Sequence, residues 1–269
     1  MTLASFTTPD GTKIAYKVHG NAASTDRVVL VHSLAMDHSY WQPVAEALAA
    51  AGVCAVAVDC RGHGASDKPA AQYTIATFAD DMVALLDHLG WPKAVFGGSS
   101  MGGSVSLGVA SYHPARVAGL ALIDTTSCYG EGAPKAWAER ADAAKDKGLA
   151  SLTDFQRTRW FSDAFREAHA DVVQRCVDVF LKNDIDAYAS TCRMLGNFDL
   201  RDKLPGFKVP ARIVVGDEDY ATPPAMAQEM HKLIPGSTYR LIEKARHLMP
   251  LERPDVAVEE ILAVVQAAR

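Results

Sequence analysis

Gly98-Ser99-Ser100-Met101-Gly102 stands between an apolar run, Ala94 to Phe96, and a stretch of helical character, Val105 to Tyr112. A serine at such a turn is held in a strained backbone conformation, and its flanking residues must be small because side chains there would meet the neighbouring strand and helix. The pattern predicts Ser100 as an exposed nucleophile, with Ser99, off-centre between the two glycines, a spare hydroxyl. A serine hydroxyl is a weak nucleophile near neutral pH. It needs an imidazole to accept its proton and a carboxylate to hold that imidazole in the right tautomer. Of nine histidines, His247 is best placed, in Ala245-Arg246-His247-Leu248-Met249-Pro250 between the last strand and the last helix. For the acid, Val215-Gly216-Asp217-Glu218-Asp219 offers three carboxylates in a row. Asp219 is preferred, Asp217 and Glu218 read as solvated loop charges, and Asp124, at the end of an earlier strand, competes with Asp219.

The tetrahedral intermediate of acyl transfer carries negative charge on the former carbonyl oxygen. Two preorganised backbone N–H groups commonly stabilise it, each worth about 3 kcal/mol. Met101, directly after the serine, and Leu34, in the loop after the first parallel strand, are the expected donors. His32 and Ser33 are expected to line the pocket beside them.

These groups lie far apart in the chain, so a scaffold must gather them. Ile14 to Val18 alternates like a half-buried strand, whereas Val28 to Val31 and Cys54 to Val58 are continuous apolar runs suited to strands covered on both faces. Helical patterns over Trp41 to Ala51 and Thr77 to Leu89, with a further apolar run at Val117 to Ile123, complete an alternation that means a parallel sheet wrapped by helices. From about Thr125 to Lys203 no strand pattern appears, and charged and aromatic residues recur at helical spacing. Alternation resumes with Arg212 to Val215, a helix near Pro224 to Leu233, Thr238 to Ile242 and a closing helix from Asp255 to Ala268. The expectation is an α/β core over 1–124 and 204–269 and a helical cap inserted over 125–203. Ligands collect beyond the carboxyl ends of strands in such sheets. Leu34, Ser100, Asp219 and His247 each follow one.

The chain has 269 residues, 49% of them hydrophobic, enough for a sizeable core and incompatible with a disordered or fibrous protein. Lys plus Arg total 27 against 32 for Asp plus Glu, a net charge of -5 with no basic block, which argues against nucleic-acid and anionic-membrane partners. A small-molecule substrate fits better. Cys54, Cys60, Cys128, Cys176 and Cys192 are scattered without metal-binding spacing. They read as thiols of a reducing compartment, and Met1 to Lys17 lacks the apolar core of a signal peptide, so a cytoplasmic protein needing neither cofactor nor metal is expected.

Four segments together resemble the α/β-hydrolases over Val28 to Pro254. They are Val31-His32-Ser33-Leu34 with Trp41 beyond, Asp59-Cys60-Arg61-Gly62-His63-Gly64-Ala65-Ser66-Asp67, the turn from Gly98 to Gly103, and Gly216-Asp217-Glu218-Asp219 paired with His247 before Glu252-Arg253-Pro254. Within that family the chain is similar to the 3-oxoadipate enol-lactonases, which open a small cyclic ester, and the similarity extends to Arg159-Trp160-Phe161, Asp186-Ala187-Tyr188-Ala189 and Asp199-Leu200-Arg201. The resemblance implies an α/β-hydrolase fold and a lactonase or carboxylesterase working through an acyl-serine. The chain departs from the pattern at His32 and Ala35, at Ser99, and at Arg246, where many relatives place Gly or Ala. Arg159 then becomes a bidentate clamp for a substrate carboxylate and Trp160 a pocket wall, with Phe161, Phe165, Phe180 and Met194 packing the cap. Carbon–carbon bond hydrolases and amidases use the same triad, and a non-catalytic receptor can be built on the same fold. The aspartate nucleophile of dehalogenases and epoxide hydrolases is absent.

Overall fold

The computed structural model describes residues 3–269, so that Met1 and Thr2 of the leading segment fall outside it. Eight strands form one sheet in the order β1-β2-β4-β3-β5-β6-β7-β8. They are β1 (Ala4–Thr7), β2 (Lys13–His19), β3 (Arg27–Val31), β4 (Cys54–Val58), β5 (Ala94–Ser99), β6 (Val117–Ile123), β7 (Ala211–Gly216) and β8 (Thr238–Ile242). From β4 to β8 across the sheet every neighbouring pair is parallel, and β2 joins β4 antiparallel. β1, which the sequence reading lacks, pairs antiparallel with β2, placing Phe6 opposite Ile14.

The helices of the first half are α1 (Gln42–Ala50), α2 (Ile75–His88) and α3 (Met101–Tyr112). Five more, α4 (Ala133–Lys147), α5 (Thr153–Trp160), α6 (Asp163–Ala168), α7 (Ala170–Leu181) and α8 (Ile185–Asn197), fall between β6 and β7. They are followed by α9 (Pro224–Leu233), α10 (Met249–Glu252) and α11 (Pro254–Ala267). Successive strand residues point to opposite faces, and β5 shows what covers each. A Cβ on Gly97 would meet Ile261 of α11, while one on Gly98 would meet the first turn of α3. Helices on both faces explain why β4 and β5 are buried at every position and why their sequences run apolar rather than alternating.

The five-helix insertion has its own packing. Trp160 meets Phe180 edge-on with ring centroids 5.7 Å apart, Phe180 meets Tyr188 at 5.8 Å, and Phe161 stacks on Phe165 at 4.9 Å. α8 begins where the Asp184 carboxylate accepts the Ala187 N–H at 2.9 Å, an N-cap. It lies close along α4 because Gly196 leaves room for Trp137. The one strand-like pairing here among the described residues is the bridge Cys128–Asp199. No helix among the described residues is long and apolar enough to cross a membrane, and the five cysteines are buried and unpaired.

Candidate active site

Ser100 joins β5 to α3 with φ 55° and ψ -121°, a left-handed conformation rare for a residue with a side chain. Four contacts hold it there, one of them the Ser104 N–H donating to Ser100 O at 3.1 Å. Its N–H donates to Ile123 O at 2.9 Å, and its carbonyl accepts the Thr125 hydroxyl at 2.6 Å and the Gly103 N–H at 2.9 Å. Gly98 and Gly102 are required by contact: a Cβ on either would strike backbone, that of Gly102 or that of Val31. Ser99 points elsewhere, its hydroxyl 2.8 Å from that of Tyr40 in the interior.

Loops after β5, β7 and β8 bring Ser100, Asp219 and His247 together. The Ser100 hydroxyl lies 2.8 Å from His247 Nε2, and His247 Nδ1 lies 2.9 Å from Asp219 Oδ2. With the proton on Nδ1, the imidazole presents Nε2 as an acceptor to the serine. Asp219 also accepts the Ala221 and Thr222 N–H groups at 2.7 and 2.9 Å and the Thr222 hydroxyl at 2.7 Å. Burial raises the Asp219 pKa, but the His247 charge and these donors outweigh it, leaving the carboxyl below its ordinary value.

Asp124 does not touch His247. Its two oxygens accept the Gly216 N–H at 3.0 Å and the Met249 N–H at 3.2 Å, tying the end of β7 to the segment after the histidine. Fully buried and close to the charge of Asp219, it has a pKa well above the ordinary carboxyl value. His32 is a correction to the sequence reading. Its ring is turned away from the pocket: Nδ1 donates to Ser33 O at 2.7 Å and Nε2 accepts the Cys60 N–H at 3.1 Å, while burial lowers its pKa.

Ser33 and Leu34 line a narrow cavity over Ser100 and His247, with Tyr129, Trp137, Arg140, Arg159 and Trp160 opposite. Ala35, at φ 60°, turns the chain directly after Leu34. Met101 is the first residue of α3, where a helix N–H has no intrahelical acceptor. Among the described residues neither the Leu34 nor the Met101 N–H is taken by a turn or side chain. A larger cavity of about 460 Å³ lies away from these groups, between Tyr40 and Cys176.

A family described as the alpha/beta hydrolase fold matches residues 26–254. The chain belongs to this family. The hydrolase is 32% identical over 211 residues to 3-oxoadipate enol-lactonase 2 of Acinetobacter baylyi, covering 78% of each chain. To enol-lactonase 1 of the same organism it is 31% identical, over 94% of this chain and 93% of that one. The crystal structure of the enol-lactonase from Burkholderia xenovorans LB400 superposes with a TM-score of 0.92 at 32% identity, covering 98% of this chain and 100% of that one. The resemblance drawn from the sequence is thus to the same group.

Two features of the hydrolase escape local sequence patterns. Arg140 lines the cavity, donates to the Tyr188 hydroxyl at 2.8 Å and stacks over Trp137. Arg159, expected there, donates to Tyr220 O at 2.9 Å and lies over Phe155. Among the described residues neither guanidinium has a carboxylate partner. Both line the one cavity, and burial, then the Arg140 charge, lower the Arg159 pKa. The Trp137-Arg140 spacing of three along α4 was the available signal.

Arg246 is the second feature. Its Nη1 donates to the Thr158 and Phe161 carbonyls at 2.9 and 3.0 Å, at the end of α5, and Leu248 N–H donates to Trp160 O at 3.0 Å. Both neighbours of His247 are therefore fastened to the last carbonyls of one helix, groups otherwise left unpaired. Its Nε donates to Glu218 at 3.1 Å, so Glu218 is ion-paired rather than a free loop charge.

Proposed function

We propose that the hydrolase cleaves a small carboxylic ester or lactone bearing a carboxylate, through an acyl-serine on Ser100. The broader class, carboxylic ester hydrolase, follows from its relatives. His247 takes the serine proton as Oγ attacks the acyl carbon, and Asp219 fixes the imidazole and stabilises its charged form. The Leu34 and Met101 N–H groups receive the oxyanion. The proton held by His247 then passes to the leaving oxygen, and water releases the acyl group by the same steps in reverse roles.

The single observation carrying this reading is the 2.8 Å contact between Ser100 Oγ and His247 Nε2, backed by Asp219 at 2.9 Å. The five-helix insertion acts as the cap. It places Arg140 and Arg159 where two unneutralised guanidiniums favour an anionic substrate. The names of the relatives put an enol-lactone first among candidates.

The test is hydrolysis of a panel of lactones and p-nitrophenyl esters by the wild type and Ser100→Ala. The wild type should turn over, and the variant should lose on the order of 10⁴-fold or more in kcat. Equal inertness of both proteins towards every ester and lactone would favour a ligand receptor instead.

A further inference from the structure

Tyr129 lies in the loop after β6, held edge-on between Trp137 and Phe198 with ring centroids 5.1 and 6.0 Å away. The backbone beside it is pinned by the Cys128–Asp199 bridge and by the Cys128 N–H, which donates to Thr126 Oγ1 at 3.2 Å. The ring is thus set in place before any ligand arrives. It lines the cavity with Ser100 and His247, and burial pushes the phenol pKa above its ordinary value. Among the described residues no group takes the phenol proton in a direct hydrogen bond.

The strand order decides which side of the substrate Tyr129 meets. Leu34 follows β3 on one flank of β5, whereas Tyr129, Asp219 and His247 follow β6, β7 and β8 on the other. An acyl group on Ser100 whose carbonyl oxygen points at Leu34 and Met101 directs its departing oxygen towards the β6 side. There His247 and the phenol stand together.

We propose that Tyr129 is a further catalytic residue whose hydroxyl donates a hydrogen bond to the leaving oxygen. This inference rests on Ser100 being the nucleophile. In the step, the Ser100 Oγ–acyl bond forms and the acyl–oxygen bond breaks with its electron pair passing to the leaving oxygen. That oxygen receives the proton taken from Ser100, delivered by His247 Nε2. Tyr129 keeps its own proton, and its raised pKa suits a donor that does not ionise. The consequence is selective help for poor leaving groups, such as the oxygen of an unactivated ester.

The experiment measures kcat/KM of Tyr129→Phe for esters sharing one acyl group, with p-nitrophenol, phenol and a simple alcohol as leaving groups. Phenylalanine keeps both aromatic contacts, so folding should be unchanged. The loss should be small for the p-nitrophenyl ester and at least about tenfold larger for the alkyl ester, the size of one hydrogen bond to a developing anion. An equal loss across the series, or none, overturns the assignment. Ser100→Ala is assayed in parallel: wild-type rates in that variant would overturn the nucleophile itself, a failure distinct from an unchanged leaving-group dependence in Tyr129→Phe.

Discussion

Replacing Arg246 by alanine tests whether His247, the proposed base, is positioned from the inserted helices. The residue is 8% exposed. The substitution strips the Thr158 and Phe161 carbonyls of a charged donor held at 2.9 and 3.0 Å. Hydrogen bonds to charged groups are worth roughly 1.5–3 kcal/mol each. Water can reach the vacated space and the two bonds share one nitrogen, so they do not add in full. The exposed partner Asp163 is left out of the sum, and Glu218 contributes little. A net cost of about 3 kcal/mol follows, which for a chain of 269 residues lowers Tm by roughly 5 °C. Because Leu248 N–H still holds Trp160 O, His247 should shift rather than be released. A displacement approaching 1 Å costs up to about 100-fold, so kcat should fall by about 10- to 100-fold at 25 °C, well below the melting range. Calorimetry and steady-state ester hydrolysis measure the two effects, with Arg246→Lys expected between wild type and alanine. A Tm within about 2 °C of wild type together with an unchanged kcat would refute the reasoning.

Asp219→Asn should lose about 10⁴-fold in kcat by favouring the wrong imidazole tautomer, whereas Asp124→Asn should keep most activity; the reverse ranking in ester hydrolysis would exchange their roles. Asp124 also has a pH signature. Its pKa is raised above the ordinary 3.8 on folding, so the stability it contributes is complete below that value and is lost as pH rises. The destabilisation of Asp124→Asn relative to wild type, followed by denaturant unfolding, should therefore shrink as pH rises above about 4; a gap that widens would contradict the assignment. Arg140→Met and Arg159→Met should each raise KM for a carboxylate-bearing lactone by about tenfold or more while leaving a neutral analogue within about twofold. Equal effects on both substrates would mean that the arginines only support the fold.

Strands β3 to β7 are legible because burial on both faces imposes continuous apolar runs, and the turn at Ser100 because a close-packed elbow excludes side chains from Gly98 and Gly102. β1 is not legible. It has four residues, Ala4–Thr7, and exists through its register with β2. His32 looks like a pocket residue from its place after β3, but its partner, the Cys60 N–H, lies 28 residues away on another loop. The same reason hid Tyr129, Arg140 and the Arg246–Glu218 pair. The neighbours of Tyr129 and Arg140 are set by how the helices between β6 and β7 lie on the sheet, and the Arg246–Glu218 pair by two loops after β7 and β8, which no local periodicity carries. Asp124 and Asp219 both follow strands, and the sequence favours Asp219; in the coordinates Asp219 reaches the imidazole while Asp124 ties β7 to the segment after the histidine.

The fastening of Arg246 and Leu248 to the end of α5 also bears on modularity. A lid transplanted between Ile123 and Ala211 from a homologue with glycine before the histidine would bring no matching socket, and the guanidinium, still paired with Glu218, would lose both carbonyl acceptors. Chimaeras of this protein should exchange the arginine and its receptor together, because the two have become one heritable part.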